Sequence, residues 1–132
     1  FRIFVMELMV KEGNTMSLEE LLSKKKQLID KTVQVRGRLC DIGKARCANS
    51  LNLLNRNYYP RITITDDNGI NLDCYFNRYV EVSGNYLNKI ITVNGVFVEE
   101  NFSDRIIAWT LGYPFMQPRS RTHIMAEDFD YD

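Results

Sequence analysis

Histidine is almost absent: His123 is the only one in 132 residues. There is one tryptophan, three prolines, and no CxxC among the three cysteines, Cys40, Cys47 and Cys74. A single histidine leaves no Ser/His/Asp or Cys/His constellation for nucleophilic catalysis, and no HExxH, GxSxG, Walker or GxGxxG pattern is present. An odd, irregularly spaced set of cysteines argues against a disulfide framework and fits a reducing, intracellular compartment. A zinc site would need all three cysteines and the lone histidine, so buried thiols are the simpler reading. No apolar run approaches the ~20 residues of a membrane span. Phe1–Val10 is apolar but broken by Arg2 and Glu7, and no small-residue cleavage site follows, which argues against a signal peptide.

Net charge is also missing, with 17 basic residues against 17 acidic, so only a local electrostatic argument for a polyanionic partner is available. The balance is uneven along the chain. Glu127–Asp132 hold four acids and no base, which leaves the rest net basic by four. A 45% hydrophobic share and this length fit one globular domain with a core of its own.

What is present is mostly alternation. Arg61–Phe76 reads as a hairpin: Ile62 and Ile64, then Ile70, Leu72, Cys74 and Phe76, alternate with polar residues around an Asp67-Asn68-Gly69 turn. The turn explains Asp66-Asp67 more simply than a metal site. Ser17 with Glu20 three residues on predicts a capped helix over Ser17–Lys31. Its Lys24-Lys25-Lys26 run reads as a solvated face. Thr32–Ile42 is a strand interrupted by Gly37, the kind of corner at which one strand serves both halves of a small barrel. Gly43–Tyr59 reads as a long connection with a short helix. Asn77–Leu87 reads as a short helix or turn with Tyr79, Val82 and Tyr86 inward. Lys89–Glu99 is a strand with a second bend at Gly95, Glu100–Asp104 a polar loop, Arg105–Leu111 the last strand, and 116–132 a tail. Phe1–Val10 is read as an extra strand within an N-terminal extension, 1–16, ahead of a domain over 17–115.

Leu18–Leu39 (LEELLSKKKQLIDKTVQVRGRL), Ile62–Phe76 (ITITDDNGINLDCYF) and Tyr86–Phe97 (YLNKIITVNGVF) together resemble the OB-fold nucleic-acid-binding superfamily, in its replication-protein-like or anticodon-binding-like branches. The resemblance implies an all-β barrel with minor helix: a five-stranded Greek-key OB-fold with an N-terminal helix and a short helix between strands three and four. It implies a ligand surface on the outer face of strands two and three, flanked by the loops joining strands one and two and strands four and five.

Parity and that frame gather a candidate set for single-stranded nucleic acid, whose recognition needs cations for phosphate and flat side chains for bases. On strands one to three it comprises Arg36, Arg38, Arg61, Thr63 and Tyr75. The first loop contributes Lys44, Arg46, Arg56, Tyr58 and Tyr59, and the second Phe102 and Arg105. Each has a plainer reading. Arg36 and Arg38 can pair with Asp73 or nearby acids across the strands, Tyr75 can cover an apolar patch, and Tyr58 and Tyr59 can anchor the loop beside Pro60. Asp73 itself repels phosphate. The acidic, aromatic Ala126–Asp132 resembles the C-terminal tips by which bacterial and phage single-stranded-DNA-binding proteins recruit partners, which makes Phe129 and Tyr131 candidate anchors for a protein. The alternative is a disordered solubilising tail.

The sequence therefore points to a non-enzymatic binder of single-stranded DNA or RNA, with DNA favoured and no cofactor, metal or membrane role. The first alternative is a protein-interaction subunit of a larger assembly, or a homo-oligomer, contacting partners through the N-terminal segment or the acidic tail. The second is the binding appendage of a larger nucleic-acid enzyme.

Overall fold

The computed structural model describes residues 15–49, 52–112, 115–116 and 118–131. The strand expected over Phe1–Val10 lies outside them. Among the described residues the protein is strand-rich with few helices. In order these are β1 (Thr15–Ser17), α1 (Leu18–Ser23), α2 (Lys25–Leu28), β2 (Thr32–Asn49), β3 (Asn52–Thr65) and β4 (Asn71–Phe76). A 3-10 turn (Gly84–Tyr86), β5 (Ile90–Glu99), α3 (Phe102–Leu111), β6 (Phe115–Met116) and β7 (Thr122–Tyr131) follow. No helix among them is long and apolar enough to cross a membrane.

Five strands pair in a closed ring: β2 with β3, β3 with β4, β4 with β7, β7 with β5, and β5 back to β2. Within the ring only β4–β7 is parallel. Closure depends on β2, whose Thr32–Arg38 half pairs with β5 and whose remainder, Arg38 to Asn49, pairs with β3. The handover falls at Gly37, where an added Cβ would sit 3.2 Å from both the Ile64 Cβ and the Thr65 carbonyl. The hairpin registers as its alternation predicts: Ile64 faces Leu72 and Ile62 faces Cys74. These side chains, with Val35, Phe76, Ile91 and Phe97, are fully or nearly fully buried inside the ring. Each large one contributes roughly 1.5–3 kcal/mol of transfer free energy. Asp66 secures the turn, its carboxylate accepting the N–H groups of Asn68 at 3.0 Å and Ile70 at 2.9 Å.

Ser17 caps the first helix, accepting the Glu20 N–H at 3.2 Å, and Leu18 and Leu21 are buried against the ring. The single helix expected to Lys31 is instead two short pieces that break at Lys24. Asp30 adopts a left-handed conformation (φ 68) that ends the helical stretch.

Three larger expectations are overturned. The connection Gly43–Tyr59 is no helical loop: β2 and β3 run on past the ring as a ribbon, with Lys44 opposite Pro60 and Arg46 opposite Tyr58, and β6 pairs along its β2 edge at Cys47 and Ala48. Arg105–Leu111 is not a strand. It belongs to α3, capped by Asn101, whose side chain accepts the Ser103 N–H at 3.0 Å, and terminated by Gly112 in the left-handed region (φ 77). The Ile106-Ile107 pair reads as β-branched strand, but cap and stop signals at both ends outweigh it. Finally, residues 122–131 are no tail. They form β7, which fills the gap between β4 and β5.

Candidate functional site

Alternation predicts an open outer face on β3 and β4. Arg61 faces Tyr75 across the pair, Thr63 faces Asp73, and His123 of β7 lies opposite Asp73 on the other side. All five are buried. Their cover is the short strap Pro118–Arg121, which leads into β7. The Arg119 N–H donates to the Tyr75 hydroxyl oxygen at 2.9 Å. The Arg119 guanidinium forks onto Asp73, with Nε 2.9 Å from Oδ2 and Nη2 3.1 Å from Oδ1. Hydroxyls of Thr63 (2.7 Å), Tyr75 (3.1 Å) and Ser120 (3.1 Å) also donate to the carboxylate. Arg61 completes the set, donating to Thr63 Oγ1 at 2.6 Å and to Asp41 at 3.1 Å. Its guanidinium lies across Gly43, in the space a Cβ there would occupy.

Burial acts to raise the Asp73 pKa. The donors from Arg119, Thr63, Tyr75 and Ser120 outweigh it and hold the carboxyl at about 2. The same burial lowers His123, which favours the neutral ring, edge-on to Tyr75 at 5.1 Å. Two arginines and two aspartates balance within this cluster. Arg61, Thr63 and Tyr75 thus form an internal polar layer and not the exposed surface that alternation predicts. Asp73, expected to repel phosphate, is the hub of that layer and the partner of Arg119.

The remaining candidates divide between regions. Lys44, Arg46 and Tyr58 share one face of the ribbon, and Tyr58 is 43% exposed. Tyr59 occupies the opposite ribbon face, opposite Ala45 and 5.2 Å from the Tyr79 ring. Arg36 and Arg38 are exposed on β2, with Arg38 donating to the Asn88 carbonyl at 2.7 Å. Arg105 lines a depression of about 270 Å³ with Arg119, Arg121 and Glu100, beside the strap. The side chains of Arg56 and Phe102 lie outside the described residues. Phe129 packs on Phe76 and Tyr86 at ring-centroid distances of 6.0 and 5.9 Å, as a wall of the core and not a tail anchor. Tyr131 rests on Tyr86 at 4.5 Å, with the Lys89 ammonium 5.8 Å from its centre.

No family model matches the sequence, and no curated protein does. The structure is similar to part of an aspartyl-tRNA synthetase from Leishmania major Friedlin, at 13% identity and a TM-score of 0.46. The similarity covers 89% of this chain and only 20% of that one.

Sequence reasoning misses Arg119, Ser120 and His123 as partners of the β3–β4 face. No local signal marks them, since Arg119 meets Asp73 across 46 residues of chain. It also places Tyr79 inward. Tyr79 is 76% exposed, whereas Val82 and Tyr86 do pack against the core.

Proposed function

We propose that the closed ring is an OB-fold and that the protein is a non-enzymatic binder of single-stranded nucleic acid, with DNA the favoured strand. One observation carries the reading: Arg46 lies opposite Tyr58, with Lys44 on the same ribbon face. This puts two cations beside an exposed aromatic ring, the pairing that single strands require of a surface. The ribbon stands where the loop between OB strands one and two would be. Arg105, Arg119 and Arg121 line the other flank. The strap between these flanks removes Arg61, Thr63 and Tyr75 from direct contact, and Arg119, Arg105 and Arg121 are paired with Asp73, Glu100 and Glu99, so phosphate attraction falls first to the ribbon.

The test is fluorescence anisotropy with single-stranded DNA, single-stranded RNA and duplex, each at two salt concentrations. Lys44→Ala with Arg46→Ala is expected to shallow the salt slope by roughly 0.7 for each phosphate left without its cation. Tyr58→Ala is expected to weaken binding with the slope unchanged. Oligonucleotide binding that ignores both salt and the ribbon substitutions would sink the proposal.

A second reading, a protein-interaction subunit, is favoured by α3, which exposes Ile106 (49%), Ile107 (55%) and Leu111 (60%). Ile107 and Leu111 are one turn apart and share a stripe. If this reading holds, Ile107→Asp with Leu111→Asp abolishes a self-association or partner contact seen by light scattering, and oligonucleotide binding is untouched. Unchanged mass and unchanged partner binding would dismiss it.

A further inference from the structure

Tyr79 is the most exposed large apolar side chain among the described residues, at 76%. Its position is held from both sides. Arg78 donates to the Glu127 carbonyl, and Val80 and Val82 pack against the core. With its neighbours pinned in this way, the backbone projects the Tyr79 ring outward. The ring meets Tyr59 at a centroid distance of 5.2 Å and an interplanar angle of 51°. Tyr59 is itself fixed in a strand, opposite the small side chain of Ala45. The pairing of β3 with β4 ends two residues away, at Arg61–Tyr75, so the Tyr59–Tyr79 pair sits where the β3 edge is leaving the ring. Leaving so large an aromatic surface in water brings the fold no burial, and an exposed ring backed by a second ring suits a planar ligand.

We propose that Tyr59 and Tyr79 form a base-stacking platform, a second contact for a nucleic-acid strand on the ribbon face opposite Lys44, Arg46 and Tyr58. This rests on the single-strand-binding reading and extends it. A strand passing over the β3 edge meets phosphate-binding cations on one side and the tyrosine pair on the other. Stacking on one base predicts that Tyr79→Ala weakens binding of a single-stranded DNA oligonucleotide by about 5- to 100-fold. The salt slope should stay as in the unmodified protein, because every phosphate-binding cation remains in place.

The experiment is anisotropy on the full chain with two probes of equal length, a mixed-sequence single-stranded DNA and an abasic strand that keeps only sugar and phosphate. Tyr79→Phe should bind both probes like the unmodified protein. Tyr79→Leu and Tyr79→Ala should lose affinity for the base-containing strand only. Equal binding of the base-containing strand by all variants, with Tyr58→Ala or Lys44→Ala still harmful, overturns the platform and leaves the single-strand reading standing. Equal losses on the abasic strand also overturn it, since the side chain would then act without bases. If the unmodified protein binds neither probe at low salt, both the reading and the platform fall. At 76% exposure the tyrosine carries little of the core, so an unchanged melting temperature should accompany every variant.

Discussion

Asp73→Ala is expected to lower the unfolding free energy by about 3–5 kcal/mol, because it strips the counter-charge from a buried ionic set. Arg61 would keep Asp41 as its carboxylate partner, and Arg119 would lose its forked anchor. The Thr63 and Tyr75 hydroxyls would lose their acceptor beneath the strap. Against a total stability of roughly 5–15 kcal/mol for a domain of this kind, such a loss is severe. Urea titration followed by circular dichroism measures it directly, and a change under about 0.5 kcal/mol, the scale of an ordinary surface substitution, would mean that the strap is not held by this carboxylate. Asp73→Asn separates charge from shape. The folded pKa of about 2 lies below the ordinary 3.8, so the carboxylate contributes stability that is fully present above about pH 4. That contribution is lost as pH falls through about 2. Its size is about 2 kcal/mol. The difference in stability between the unmodified protein and Asp73→Asn should therefore be constant from neutral pH down to about 4 and shrink below it. A difference that is flat across the whole range would remove the ionic explanation.

Gly95→Ala is expected to cost about 3 kcal/mol or more, the upper end for overpacking a filled core. A Cβ on Gly95 would overlap the Met125 carbonyl oxygen and come within 2.7 Å of the Ala126 Cα. Both are backbone atoms of β7, so no side-chain rotation relieves the contact. The only relief is for β5 to move away from β7, where the register already shifts between Asn94 and Gly95. Gly84→Ala provides the contrast, because a Cβ there meets nothing within 4 Å. Its effect should stay within about 0.5 kcal/mol. If thermal melts place the two variants side by side, the tight β5–β7 crossing does not contribute to stability.

The parts of the fold that are legible in the sequence are those whose signals are local. Alternation over Arg61–Phe76 specifies both the register and the inner face of the hairpin, and Gly37 marks the strand corner. β7 escapes for two reasons. It is acidic, and its inward positions change parity: Ile124 and Ala126 are buried, yet it is Phe129, not residue 128, that next packs against the core. The extra residue accommodates the irregularity opposite Asn94 and Gly95, and a period-two reading has no means of anticipating it. α3 does carry a signal, since Asn101 and Gly112 are ordinary cap and stop residues, but the β-branched run between them points the other way. For the site, parity correctly puts Arg61, Thr63, Asp73 and Tyr75 on one outer face. Whether that face meets water depends on a strap far along the chain, and long-range cover leaves no periodic trace.

The parallel β4–β7 pairing has a consequence for how the protein is made. During synthesis β4 and β5 emerge well before β7, and their β7-facing edges stay unpaired until Thr122–Tyr131 arrives. Asp73 waits as long for Arg119. Contacts so distant in sequence form late and slowly. Over that interval the nascent chain exposes two open strand edges, the feature by which partly made β proteins stick to one another. Slowing elongation before β7 should therefore lengthen the exposure and increase aggregation.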